Sequence, residues 1–207
     1  MVYSIVVSVV VESTERLMVC RVLCRELLLP LPWGHLAAKQ WSHAQPGPGP
    51  PTTWLALHGW LDNAATFDRL APLLISRCPN LSLVCLDDPG HGLSSHLGSG
   101  QMYHFLESVR YTHSVLTHLR LPRVGLIGHS MGAAKASLFA ATFPDMVESL
   151  VMIDLIKPIS RKTEDVVLRT RQSITEHSAL QEKITAGKDR VYRSEQEALD
   201  KLIEAAR

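Results

Sequence analysis

Residues 124–142, VGLIGHSMGAAKASLFAAT, constrain the fold more than any other stretch of the chain. Val124 to Ile127 is a short apolar run that reads as a buried strand, and Gly128 ends it. Met131 to Thr142 reads as a helix stopped by Pro144. Between the two, Gly128-His129-Ser130-Met131-Gly132 fits G-x-S-x-G, a sharp strand-to-helix turn that lifts a serine Oγ above the end of a sheet. Such a turn crowds backbone against neighbouring side chains, and glycine two residues either side of the serine removes the Cβ atoms that would clash. Gly132, Ala133 and Ala134 then let the helix pack closely beside the strands. The plainer alternative is a serine capping an ordinary helix.

The rest of the chain supplies the sheet this turn requires. Thr53 to Leu57 (TWLAL) is an apolar run closed by His58-Gly59, and Leu81 to Leu86 (LSLVCL) runs into the polar turn Asp87-Asp88-Pro89-Gly90-His91-Gly92. Both read as buried parallel strands, and Leu150 to Ile153 as another. Residues 66–78 and 103–119 carry apolar positions at helical spacing, including Phe67, Leu70 and Leu74, then Phe105, Val109 and Val115. Strand and helix in alternation predict an α/β fold, a mostly parallel sheet flanked by helices. WGHLAAKQW, behind Pro30 and Pro32, is a strand near the start of the sheet, and QPGPGPP over 45–51 is a turn. From Lys157 onward the sequence becomes charged and helix-prone, and one or two amphipathic helices are expected.

The first 29 residues form an atypical leader. Val2 to Val11 is apolar and β-branched, too short to span a bilayer and without the basic start of a secretory signal. It suits a buried or edge strand, or a leader foreign to the fold; residues 16–29 read as a short helix.

With 207 residues, 46% of them hydrophobic and 20% charged, the chain can bury one sizeable core. A net charge of +1 offers no field to gather nucleic acid or acidic lipid, so neither is an expected partner. Cys20, Cys24, Cys78 and Cys85 lack the spacing of a metal site, and no glycine loop of phosphate-binding pattern follows a strand. No cofactor and no metal are therefore expected.

Ser130 is the candidate nucleophile. The backbone N–H of Met131, next in the chain, is one candidate oxyanion donor, and that of Trp60, in the loop after an earlier strand, is the second. His58 is read as ordering that loop rather than moving protons, and Asp87 as organising its own turn. Asp154, at the end of the strand after the elbow, is either a catalytic acid or a cap on the next loop.

LPWGHLAAKQW, LHGWLDNAATFDRLAPLL, DDPGHGLSSH and LIGHSMGAAKASLFAATFPDMVESLVMID together resemble the serine hydrolase-like proteins of animals, within the α/β-hydrolase superfamily. The resemblance covers roughly residues 30–157, with residues 158–207 as the start of a helical cap. It implies an α/β-hydrolase fold, incomplete at its C-terminal end. It also implies an intracellular serine hydrolase for a small ester or acyl substrate, cytoplasmic, peroxisomal or on perinuclear vesicles. Of ten histidines only His177 follows Ser130, in a charged helical stretch, whereas this fold supplies its histidine late, after the acid. A serine without a base is a poor nucleophile. The chain is thus expected to be a truncated or alternatively spliced form, weakly active or inactive. A non-catalytic binding or regulatory chain is the competing reading, and an acyltransferase, with the same nucleophile and another acceptor, a third.

Overall fold

The computed structural model describes residues 4–13, 16–98, 100–156, 162–186, 192 and 194–205. Val2 of the apolar leader run, Lys157 at the expected composition boundary, and Ala206 and Arg207 at the C-terminus lie outside the described residues. The chain divides into two compact units, Met1–Ser160 and Arg161–Arg207.

The first unit is built on one sheet. Its strands are β1 (Ser4–Ser13), β2 (Arg16–Leu31), β3 (Gly34–His43), β4 (Thr52–Leu57), β5 (Leu81–Leu86), β6 (Val124–His129) and β7 (Val147–Ile153). They lie in the order β1-β2-β3-β5-β4-β6-β7. From β5 to β7 every pairing is parallel, and β1, β2 and β3 add antiparallel strands on the other side. An α/β fold with a sheet flanked by helices is therefore what the sequence forms.

Residues 16–29 correct the expectation of a short helix. They belong to β2, whose residues 22–31 pair with β3 in continuous antiparallel register. Val22 and Leu29 are buried there, as is Cys24. Mixed apolar and basic residues fit a helix face and a strand alike, and the waiting edge of β3 decides for the strand. β1 pairs with β2 from Ser4 to Ser13 and ends the sheet on that side, one of the two outcomes the β-branched run allowed.

Helices α1 (Leu70–Arg77), α2 (Glu107–His118) and α3 (Met131–Thr142) connect the parallel strands. The period of two along each strand sends alternate residues to opposite faces, and both faces are covered. Leu55, Leu57, Val84, Leu86 and Leu126 pack with Tyr111, Val115, Leu116 and Phe139 of α2 and α3. Ala56, Leu83, Cys85 and Ile127 face the other way, onto Phe67, Ala71 and Ile75. This is why the strands read as unbroken apolar runs rather than alternating ones. At the far edge β7 pairs, among the described residues, only with β6, leaving Val151 and Ile153 each 40% exposed.

The strand order places the site. The chain passes from β4 to β5 on one side of β4, then returns with β6 on the other. Where neighbouring crossovers diverge in this way, the carboxyl ends of the strands open into a crevice. The loops after β4, β5 and β6 all meet there.

In the second unit, α4 (Val166–Thr185) follows a short turn at Thr163–Asp165, and α5 (Glu195–Ala205) comes later. Val167, Leu168, Ile174 and Leu180 of α4 are exposed. Among the described residues no helix is long and apolar enough to cross a membrane.

Candidate active site

Ser130 adopts φ +50° and ψ −115°, a conformation L-residues avoid. A capping serine has extended backbone and accepts from the helix amides. Ser130 does neither: it makes no side-chain cap hydrogen bond. Its N–H donates instead to Ile153 O at 2.9 Å, and its carbonyl accepts from Ala133 and Ala134 at 3.0 and 3.2 Å. The turn is therefore a strand-to-helix elbow, not a helix cap.

Its two glycines are explained by close approach. A Cβ on Gly132 would lie 2.1 Å from Leu57 O, so α3 starts almost in contact with the end of β4. A Cβ on Gly128 would lie 2.4 Å from the Ala133 nitrogen. The small residues after the serine let strand and helix close to this distance.

The loop after β4 reaches the same place. The Cβ position of Gly59 would be 3.6 Å from Ser130 Cβ and 3.1 Å from His129 Nδ1. His58, 1% exposed, fixes this loop. Its Nε2 accepts from the Asp88 N–H at 3.0 Å, so Nδ1 carries the proton and donates to Gly59 O at 2.7 Å. Both ring nitrogens are thereby engaged in tying the β4 loop to the β5 loop.

Trp60 and Met131 line one cleft of about 540 Å³. Neither backbone N–H donates to an acceptor among the described residues. Met131 opens α3, where unpaired amides and the helix dipole favour negative charge. Trp60 is 67% exposed, its ring 6.0 Å from that of His91.

Asp87 holds the turn beyond β5. It is buried, and its Oδ1 accepts from the Ala64 N–H at 2.6 Å while Oδ2 accepts from the Leu93 N–H at 2.8 Å. Its carbonyl accepts from Ser94 Oγ at 2.6 Å, so one residue fastens two loops and spends its carboxylate on backbone. His91 also lines the cleft; its Nδ1 donates to Pro89 O at 3.1 Å, and its buried Nε2 has no partner among the described residues.

Asp154 follows β7 directly, one residue beyond the partner of the Ser130 amide. It is exposed, sits at φ +72°, and has no side-chain partner among the described residues. Ser130, Trp60, Met131 and Asp154 thus lie at one end of the sheet, but among the described residues no side chain hydrogen-bonds to Ser130 Oγ. His177 lies on α4, in the other unit. Among the described residues no group of three or more His, Cys, Asp or Glu is placed to hold a metal.

Sequence reasoning passed over one pair. Lys135, on α3, donates from Nζ to Asp88 Oδ2, and both side chains are nearly buried in the wall of the cleft, 10% and 14% exposed. The available signal was the one charged residue of that helix, a lysine one turn along it and four residues from Met131.

A family described as the α/β hydrolase fold matches residues 55–177. A serine hydrolase-like protein of Homo sapiens is 45% identical over 132 residues, 64% of this chain and 61% of that one. The serine hydrolase-like protein of Danio rerio is 39% identical over 168 residues, 81% of this chain and 49% of its own. Across the first relatives, including a second human one, the chain spans between 40% and 61% of their length. Among solved structures, a hypothetical protein of Pseudomonas aeruginosa PAO1 is 34% identical with a TM-score of 0.69, covering 87% of this chain and 58% of that one. A thioesterase domain from the curacin biosynthetic pathway is 25% identical with a TM-score of 0.62, covering 75% and 52%.

Proposed function

The chain belongs to the α/β-hydrolase family, and from that premise we propose that it carries the nucleophile half of an esterase-type serine hydrolase acting on a small ester or acyl substrate. Ser130 Oγ attacks the carbonyl carbon and passes its proton to a base. The carbonyl oxygen takes the electron pair and is held by the N–H groups of Trp60 and Met131. Collapse of the adduct breaks the ester C–O bond, the leaving alkoxide takes the proton as an alcohol, and the acyl group stays on Ser130. Water repeats the sequence and releases the acid. The observation that carries this reading is the strained Ser130 lying against Gly59, with the residues next to each in the chain, Met131 and Trp60, lining one cleft. The serine hydrolase-like relatives support it, and an intracellular location, cytoplasmic or peroxisomal, belongs to the same reading.

Among the described residues no base is in place at Ser130. His58 is engaged at both nitrogens, and no side chain among the described residues hydrogen-bonds to Ser130 Oγ. Asp154 is the acid that would orient a base brought to this end of the sheet. Without the base, the oxyanion donors and binding alone give modest catalysis, so this chain by itself turns over slowly or not at all. The same observation favours a second reading, a hydrolase-derived chain that binds the substrate class without cleaving it.

A fluorophosphonate probe separates them. Covalent labelling of Ser130, abolished by Ser130→Ala, supports an activated nucleophile. A folded chain that stays unlabelled and does not cleave p-nitrophenyl acetate supports the binding reading.

A further inference from the structure

We propose that the Asp88–Lys135 pair is a substrate-recognition element that selects an uncharged amide-bearing group, and this rests on the hydrolase reading of the cleft. The two side chains face one another across the cleft wall, on the β5 loop and on α3. Burying such a pair seldom stabilises a fold, because desolvation offsets the Coulomb attraction. Here the pair is also incompletely satisfied. A lysine ammonium has three N–H donors, and Lys135 gives one of them to Asp88 Oδ2. Its other donors and Asp88 Oδ1 have no partner among the described residues. Both residues line the cleft, so a donor and an acceptor stand side by side in its wall.

The charge of the surroundings selects the complement. Asp62 and Asp88 both line the cleft, so an anion drawn to Lys135 meets two carboxylates. A cation drawn to Asp88 meets the ammonium. A purely apolar chain leaves both groups desolvated and unpaired. A secondary amide satisfies both, its carbonyl accepting from Lys135 and its N–H donating to Asp88. Position follows from the helix: Lys135 stands four residues from Met131 on the same face, about 5–6 Å away. The amide therefore lies roughly one helical turn from the reacting carbonyl, on the same molecule.

The test uses binding, so it does not depend on turnover. The Ser130→Ala chain is titrated by ligand-observed NMR with methyl 4-acetamidobutyrate and with methyl heptanoate, which has the same length without the amide. The amide ester is expected to bind about tenfold more tightly, although the heptanoate is more hydrophobic. In the chain that also carries Asp88→Leu and Lys135→Met the order reverses. That double change removes both charges together and keeps the volume apolar, so the fold survives it. An unchanged ratio in the double variant overturns the proposal, as does tighter binding of the heptanoate with the pair intact. Tighter binding of monomethyl glutarate than of the amide ester overturns it as well, in favour of an anion site. Failure of the hydrolase reading appears separately, as absence of Ser130 labelling with the amide preference intact.

Discussion

The amide of Ser130 donates to the carbonyl of Ile153 at 2.9 Å, which ties the elbow to the strand beyond it rather than to its own helix. This bond is one of the restraints holding Ser130 at φ +50°. Such a conformation costs about 1–3 kcal/mol in a residue with a Cβ.

Ser130→Gly is accordingly expected to be more stable than Ser130→Ala by about 1 kcal/mol, because both lose the hydroxyl but only glycine loses the strain. Urea unfolding of the two variants measures the difference. Equal midpoints would show that the elbow is unstrained.

Gly132→Ala places a methyl group 2.1 Å from Leu57 O, against the backbone of Leu57 and His58. The first turn of α3 must move away from β4, at a cost of about 3 kcal/mol. The same shift displaces the Met131 amide. Stability measured by urea unfolding should therefore fall, and a change below about 0.5 kcal/mol contradicts the packing described.

Asp87→Asn keeps the volume but turns one acceptor into a donor facing the Ala64 or Leu93 N–H. Buried amides lose charge-assisted bonds, and destabilisation of about 2–4 kcal/mol is expected from thermal or urea melts. A change below about 0.5 kcal/mol would mean the two loops hold themselves.

Asp88→Ala alone leaves the Lys135 ammonium nearly buried and unpaired, and should cost about 3 kcal/mol. Adding Lys135→Met should recover most of that loss. A double-mutant cycle by urea unfolding checks the sign: additive losses would show that the pair does not interact.

Burial pushes the Cys24 thiol up to about 11 and raises that of Cys85 further, whereas Cys78 is exposed. Reaction requires thiolate, so iodoacetamide at pH 8 should modify Cys78 before Cys24 and leave Cys85 untouched in the folded chain. Raising the pH toward 11 should bring Cys24 into reaction before Cys85, as peptide mass spectrometry can follow. Early modification of Cys85 would place it outside the core.

Much of the fold was legible locally. β4, β5 and β6 stand where apolar runs of the right length end in polar or glycine turns, because a strand covered on both faces has no polar position to hide. The elbow was legible too, since its glycines are demanded by contacts only a few residues apart, Gly128 against Ala133. Residues 16–29 were not: nothing within that stretch says that an edge of β3 is waiting for it.

The candidate site divides along the same line. The sequence by itself determined the strand-to-helix turn at Ser130 and the free amide of Met131, because both follow from backbone geometry over a few adjacent residues. Only the tertiary structure decided that Gly59 lies against Ser130, that His58 is consumed by the Asp88 amide, and that Lys135 meets Asp88 across 47 residues of chain. Those relations depend on the strand order at β5, β4 and β6, and strand order is set by how whole faces pack, which no local pattern of residues encodes.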